Sequence, residues 1–103
     1  YNTRFGDPET QVILPLLDVD FADLMFQLSK GQLTPVKFKA GAAACVIKAA
    51  QGYPEQPEKG DLISGLTNTE GPSSWVIHAG TRLTDKGFVT NGGRVLGCVG
   101  VGD

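Results

Sequence analysis

The stretch Phe21-Ala22-Asp23-Leu24-Met25-Phe26-Gln27-Leu28-Ser29-Lys30-Gly31, followed closely by Val36-Lys37-Phe38-Lys39, changes its hydrophobic period in mid-course. Phe21, Leu24, Met25 and Leu28 recur at the i, i+3, i+4, i+7 spacing of one helix face. Asp18 or Asp20 offers an N-cap, and Gly31 a C-terminal stop. A Met and aromatic stripe at that spacing is expected to be core packing. From Pro35 onward, Val36 to Lys39 alternates apolar and polar, as a half-buried strand does. A helical lead-in thus gives way to strands near Gly31.

Upstream of this junction, Asp7 is expected to cap a first helix, with Pro8 at its first position and Glu9 favouring its positive end. Val12, Ile13, Leu16 and Leu17 fall on one face, and Pro15 inside that pattern should kink or stop the helix. Downstream, Ala42 to Ala50 mixes helix-favouring alanines with Cys45-Val46-Ile47, and its bounding glycines and Pro54 leave a segment of strand length. Gly52 to Asp61 reads as a loop. Leu62-Ile63, Ser74 to His78, Phe88 to Thr90 and Arg94 to Val101 read as strands. Asp85-Lys86-Gly87 has the composition of a hairpin tip, and Asn91-Gly92-Gly93 that of another turn. The expected fold class is α+β: a helical segment, then a small, mostly antiparallel sheet or barrel.

Composition sets the outer bounds. The 103 residues suffice for one compact unit, with 41% hydrophobic and 19% charged residues, and with fourteen Gly and six Pro in keeping with strands and turns. The net charge of −2 and pI near 5.2 argue against nonspecific binding to nucleic acid or to an anionic membrane surface. No apolar run is long enough to span a membrane, and Tyr1 to Arg4 has no character of a secretory signal, so a soluble, cytoplasmic domain is expected. Cys45 and Cys98 each sit in an apolar run with no second histidine nearby, which suggests reduced thiols rather than zinc ligands or a disulfide.

Candidate chemistry gathers in the first nine residues. Asn2 and Arg4, two apart on an extended segment, point to the same side, and Asp7 follows at a Gly6-Pro8 turn. An amide oxygen, a guanidinium and a carboxylate so placed suit a hard metal and an anionic substrate together. On spacing alone, Asp7 as a plain cap and Arg4 as a surface charge are the simpler reading.

The literal string points further. Tyr1-Asn2-Thr3-Arg4-Phe5-Gly6-Asp7-Pro8-Glu9-Thr10-Gln11 resembles the segment that closes the ATP-grasp domain of the phosphoribosylamine–glycine ligases. Gly52-Tyr53-Pro54, Glu58-Lys59-Gly60-Asp61, Ile63-Ser64-Gly65, His78-Ala79-Gly80-Thr81 and Gly92-Gly93-Arg94-Val95-Leu96 resemble that family's C-terminal domain, in the same order. The resemblance covers essentially the whole chain. It implies residues 1–31 as the end of an ATP-grasp domain and 32–103 as a small, barrel-sandwich-like β-domain. It implies a C–N ligase of purine biosynthesis that uses ATP and Mg²⁺ (or Mn²⁺) to join glycine to 5-phosphoribosylamine through a glycyl phosphate.

By the same resemblance, Asn2 is a metal ligand whose partner Glu would fall just before Tyr1. Arg4 faces the phosphoryl group or substrate, and Asp7 and Glu9 order that corner and the substrate's amine. Arg94, leaning from its glycine turn, contacts an anionic substrate, with pairing to a surface carboxylate as the competing reading. The family continues upstream, where most of the ATP site lies, and beyond Asp103, so the chain alone is expected to be inactive. His78 is expected to be a hydrogen-bonded structural residue. The rival is a biotinyl or lipoyl carrier with Lys86 at the Thr84-Asp85-Lys86-Gly87 tip, which an intact mass would reveal; it leaves Asn2 to Gln11 unexplained. A third reading is an accessory β-domain without chemistry of its own.

Overall fold

Pro15 breaks the first helix where its missing N–H requires. In the computed structural model, which describes residues 3–103, α1 (Glu9–Ile13) passes into a 3-10 turn (Leu14–Leu16) that contains it. Helix α2 (Phe21–Ser29) begins at Asp20, whose carboxylate accepts from the Asp23 N–H at 3.0 Å. It ends in a Schellman arrangement: Gly31, at φ +74°, donates to the Leu28 carbonyl, and Gln32 donates to that of Gln27.

The strands are β1 (Ala42–Ala49), β2 (Ser74–His78), β3 (Thr81–Thr84), β4 (Gly87–Thr90) and β5 (Arg94–Gly102). They form a three-stranded sheet in the order β1-β5-β2 and a β3-β4 hairpin, all antiparallel. The architecture is therefore a small α+β fold, as the change of period implied. Strand β3 lies outside the strands read from sequence, because Thr81-Arg82-Leu83-Thr84 carries only one large apolar residue. The Asp85-Lys86 tip joins it to β4 as expected.

Three expectations are corrected. Val36 to Lys39 is no sheet strand: Phe38 forms a lone bridge with Leu17, through Asp18 N–H to Lys37 and Lys39 N–H to Leu16, and stays exposed. Its partner is the short connection between α1 and α2, which offers too little backbone for a ladder. Leu62-Ile63 likewise runs beside β4 with a single bridge, Leu62 to Val89. The α2 stripe is not core packing, for Phe21, Met25 and Leu28 are exposed and, among the described residues, the helix makes no extensive contact with a strand.

The core follows β5, the central strand. Val95, Leu96 and Val99 are buried, with Ala50 beside them and Ile63, Leu66 and Val76 packed around. Among the described residues no large side chain is fully buried. The radius of gyration is 16.5 Å, against about 13 Å for a compact domain of this length. One sheet face carries Cys45, Ile47, Trp75, Ile77 and Val99; α1 and its 3-10 turn cover its β1–β5 part and line a hollow with Trp75 and Ile77.

Register settles the cysteines. Cys45 pairs with Val99 and Cys98 with Val46, so the two thiols project from opposite faces of neighbouring strands and cannot be bridged without moving backbone. Burial pushes the Cys45 thiol above its ordinary range, with the nearby Asp7 charge and Cys98 adding to the effect. Under mild oxidation the chain should keep two alkylatable thiols, and Cys98 should react with iodoacetamide before Cys45, as peptide mass mapping would read. Because folding favours the neutral Cys45 thiol, its contribution to stability is present below the unfolded pKa and is lost as pH rises through the folded one.

Candidate functional site

The start of α1 and the start of β5 meet at a charged cluster. Gly6 gives the chain its turn, and the Glu9 side chain folds back over it, occupying the space a Cβ would need. The Gly6 carbonyl accepts from the N–H of Thr10 at 3.1 Å and from its hydroxyl at 2.8 Å. Pro8, not Asp7, is the N-cap of α1, and it makes no side-chain cap bond. This corrects the capping role expected of Asp7, whose carboxylate is drawn sideways into an ion pair.

Its partner is Arg94. The Nη1 donates to the Asp7 carbonyl at 2.6 Å and lies 3.2 Å from Asp7 Oδ2, while Nε donates to the Tyr53 hydroxyl at 3.2 Å. On its other side Asp7 Oδ1 accepts from Gln11 Nε2 at 2.6 Å. The hydroxyl of Tyr53 and then Asp7 hold the Arg94 guanidinium above its already high ordinary pKa, so it stays charged. The glycines before Arg94 have steric reasons: the Tyr53 ring lies where a Cβ on Gly93 would stand, and the α-carbons of Gly80 and Gly92 are in close approach.

The structure thus brings together Asp7, Arg94 and, through Gly6, Glu9. Arg4 is exposed and lies apart from them, in a separate hollow of about 380 Å³ with Thr3, Phe5, Phe21 and Met25. Asn2 lies outside the described residues. Tyr53 and Gln11 were missed as site residues. Gln11 reaches back from the first turn of α1 to Asp7, which precedes the helix and its Pro8 cap, so the contact depends on how the chain enters the helix; Tyr53 reaches the cluster only through the tertiary fold. His78 is held by Thr81 Oγ1, 2.9 Å from Nδ1, with Phe88 4.4 Å from its ring, matching its structural reading. Lys86 sits at the exposed hairpin tip, where its N–H donates to Thr84 Oγ1 at 3.3 Å.

The described residues do not fit a metal cage. No three His, Cys, Asp or Glu side chains among them converge on a point, and Asp7 is paired with Arg94. What the arrangement does chemically is hold a cation and an anion side by side at the seam between a helix and a sheet.

Fold and cluster define a small α+β unit built on antiparallel sheet, with an ion pair at the seam between helix and sheet. It superposes on the crystal structure of phosphoribosylamine–glycine ligase from Thermotoga maritima with a TM-score of 0.81 and 41% identity, over 99% of this chain and 25% of that one. Residues 43–103 match the family described as phosphoribosylglycinamide synthetase, C domain, and the chain belongs to that family. The phosphoribosylamine–glycine ligases of Nostoc sp. and Neisseria meningitidis serogroup B are 46% and 49% identical over all of this chain and a quarter of their own length. The Drosophila melanogaster trifunctional purine biosynthetic protein adenosine-3 is 48% identical over 93% of this chain and 7% of its own length. The chain thus spans about a quarter of the ligases it matches.

Proposed function

We propose that the chain is the C-terminal part of an ATP-dependent ligase that joins glycine to 5-phosphoribosylamine, giving glycinamide ribonucleotide in cytoplasmic purine biosynthesis. In this reading residues 1–31 close an ATP-grasp domain, and 32–103 are a β-domain of barrel-sandwich type. The observation that carries the reading is end-to-end similarity to the C-terminal quarter of the ligases, at 41–49% identity in both sequence and structure comparisons.

The reaction transfers the terminal phosphoryl group of ATP to glycine's carboxylate, and the amine of 5-phosphoribosylamine then displaces phosphate from the acyl phosphate. Catalysis of such a transfer rests on positioning and on neutralising phosphate charge. Arg4 supplies positive charge to the phosphoryl group. Asp7 and Glu9 order the corner that receives the substrate's amine, and Arg94 faces the anionic substrate. Asn2 would offer one oxygen to Mg²⁺ or Mn²⁺, which when bound would neutralise phosphate charge; the carboxylates needed to hold such an ion would come from the remainder of the enzyme, as would most contacts to ATP. The carrier reading accounts for the Lys86 hairpin and for none of the cluster.

The test is a chimeric ligase in which this chain replaces the C-terminal quarter of the Nostoc enzyme. It should release ADP in a manner dependent on both glycine and 5-phosphoribosylamine, and Lys86→Ala should leave that rate within about twofold, as for a surface substitution away from the site. The 103-residue chain alone should show neither turnover nor tight calorimetric binding of Mg-ATP. A folded chimera without substrate-dependent ADP release would refute the ligase reading.

A further inference from the structure

We infer that Tyr53 is a positioning residue: by fixing the Arg94 guanidinium it lets the β-domain set the geometry of the Gly6-Asp7-Pro8-Glu9 corner. The inference rests on the ligase reading for its consequence in catalysis, and on the geometry of this chain for the brace itself.

An exposed ion pair holds itself poorly. The Arg94 and Asp7 side chains are 44% and 50% exposed, and a pair so placed gains little and wanders. Here the guanidinium is bound at two further points, Tyr53 Oη and the Asp7 carbonyl, which its planar fork reaches at once. Both ends of the brace are anchored. The Arg94 carbonyl accepts from Gly80 N–H at 2.8 Å, which fixes the backbone from which the side chain springs. Tyr53 sits in a loop closed by Gln56 N–H to Gly52 and Glu58 N–H to Gln51, both 2.8 Å, and by Gln51 Nε2 to Glu58 Oε1 at 3.2 Å.

The ring is further seated on Gly93, where no larger residue would leave it room, with Pro57 alongside. The hydroxyl is thereby held at a set height above β5. Arg94 Nη2 has no partner among the described residues, so the braced guanidinium keeps donors for an anionic group. Among the described residues the side-chain partner of the Tyr53 hydroxyl is Arg94 Nε, and the hydroxyl makes no hydrogen bond to Asp7. It acts through Arg94.

Tyr53→Phe removes the hydroxyl and keeps the ring on Gly93. In the chimeric ligase it should raise the KM of the substrate received at the corner, glycine or 5-phosphoribosylamine, about tenfold, the weight of one hydrogen bond to a charged group. The kcat should stay within about twofold and the unfolding midpoint unchanged, a split that loss of packing would not produce. Because Tyr53 acts through Arg94, adding Tyr53→Phe to Arg94→Lys should worsen KM no further. Unchanged KM in Tyr53→Phe, or losses that multiply in the double variant, would overturn the inference. In the 103-residue chain, with no substrate present, Arg94 Nε–H should exchange with water about tenfold faster in Tyr53→Phe. Equal exchange overturns the brace whether or not the chimera is active, whereas an inactive parent chimera with faster exchange condemns the ligase reading and leaves the brace standing.

Discussion

Arg4→Ala in the chimeric ligase should depress glycine-dependent ADP release about a hundredfold to a thousandfold, the usual effect of deleting one group that neutralises transition-state charge. The same substitution should hardly change stability. Arg4 is exposed and has no hydrogen-bond or ion-pair partner among the described residues, and substitutions of that kind fall within about 0.5 kcal/mol. Arg4 shares its hollow with Thr3, Phe5, Phe21 and Met25, none of which offers the guanidinium a carboxylate. A cation so placed has no evident structural employment, whereas Arg94 is engaged with Asp7 and Tyr53. Loss of turnover at constant unfolding midpoint is therefore the signature expected of Arg4, and a mixed signature is expected of Asp7→Ala, which also releases Arg94 and Gln11. Steady-state kinetics beside a thermal melt would read both. Arg4→Ala with the parent's turnover would remove Arg4 from the mechanism.

What could be read from the sequence divides along the range of the forces involved. The Pro15 break, the Asp20 cap and the Gly31 stop depend on neighbours within one turn, and all three stand in the structure. The β5 strand was legible because Val95, Leu96, Cys98 and Val99 are apolar on both faces, as a central strand must be. Periodicity misled where burial needs a partner that local sequence does not specify. The α2 stripe has helical spacing yet stays largely exposed, and Val36 to Lys39 alternates yet forms only a lone bridge, Phe38 to Leu17, among the described residues.

The candidate site divides likewise. Asp7 and Arg94 were each singled out, but Arg94 meets Asp7 across 87 positions, and no spacing rule joins residues so far apart. The expected Asp7 cap lost to that long-range pair. Tyr53 stands within the Gly52-Tyr53-Pro54 motif with no local partner, because its contacts exist only once the turn before β5 brings Gly93 beneath its ring and Arg94 to its hydroxyl. The Gln11 contact is local in sequence, four residues from Asp7, but it too depends on the turn that brings the chain into α1, since Asp7 precedes the Pro8 cap.

Leu96→Ala should destabilise the chain by about 2–5 kcal/mol, the range for deleting the end of a buried leucine. A domain of this size is stable by about 5–15 kcal/mol, and a core in which no large side chain is completely enclosed belongs toward the lower end. The variant should therefore lose a large share of its stability, seen as a lower urea midpoint with an unchanged slope. Val46→Ala is the comparison, since Val46 is 64% exposed on edge strand β1 and its truncation opens no cavity. Leu96 stands between Lys48 on β1 and His78 on β2, and it belongs with Ala50 and Val95 to the buried cluster against which Ile63, Leu66 and Val76 pack. It also lies two residues beyond Arg94. Loosening β5 there frees the backbone that carries the guanidinium, and in the chimera the KM of the corner substrate should rise together with the loss of stability. Tyr53→Phe is expected to separate those two quantities and Leu96→Ala to couple them. A Leu96→Ala penalty below about 1 kcal/mol would mean that β5 is not the centre of the core, and the placement of Arg94 would lose its foundation.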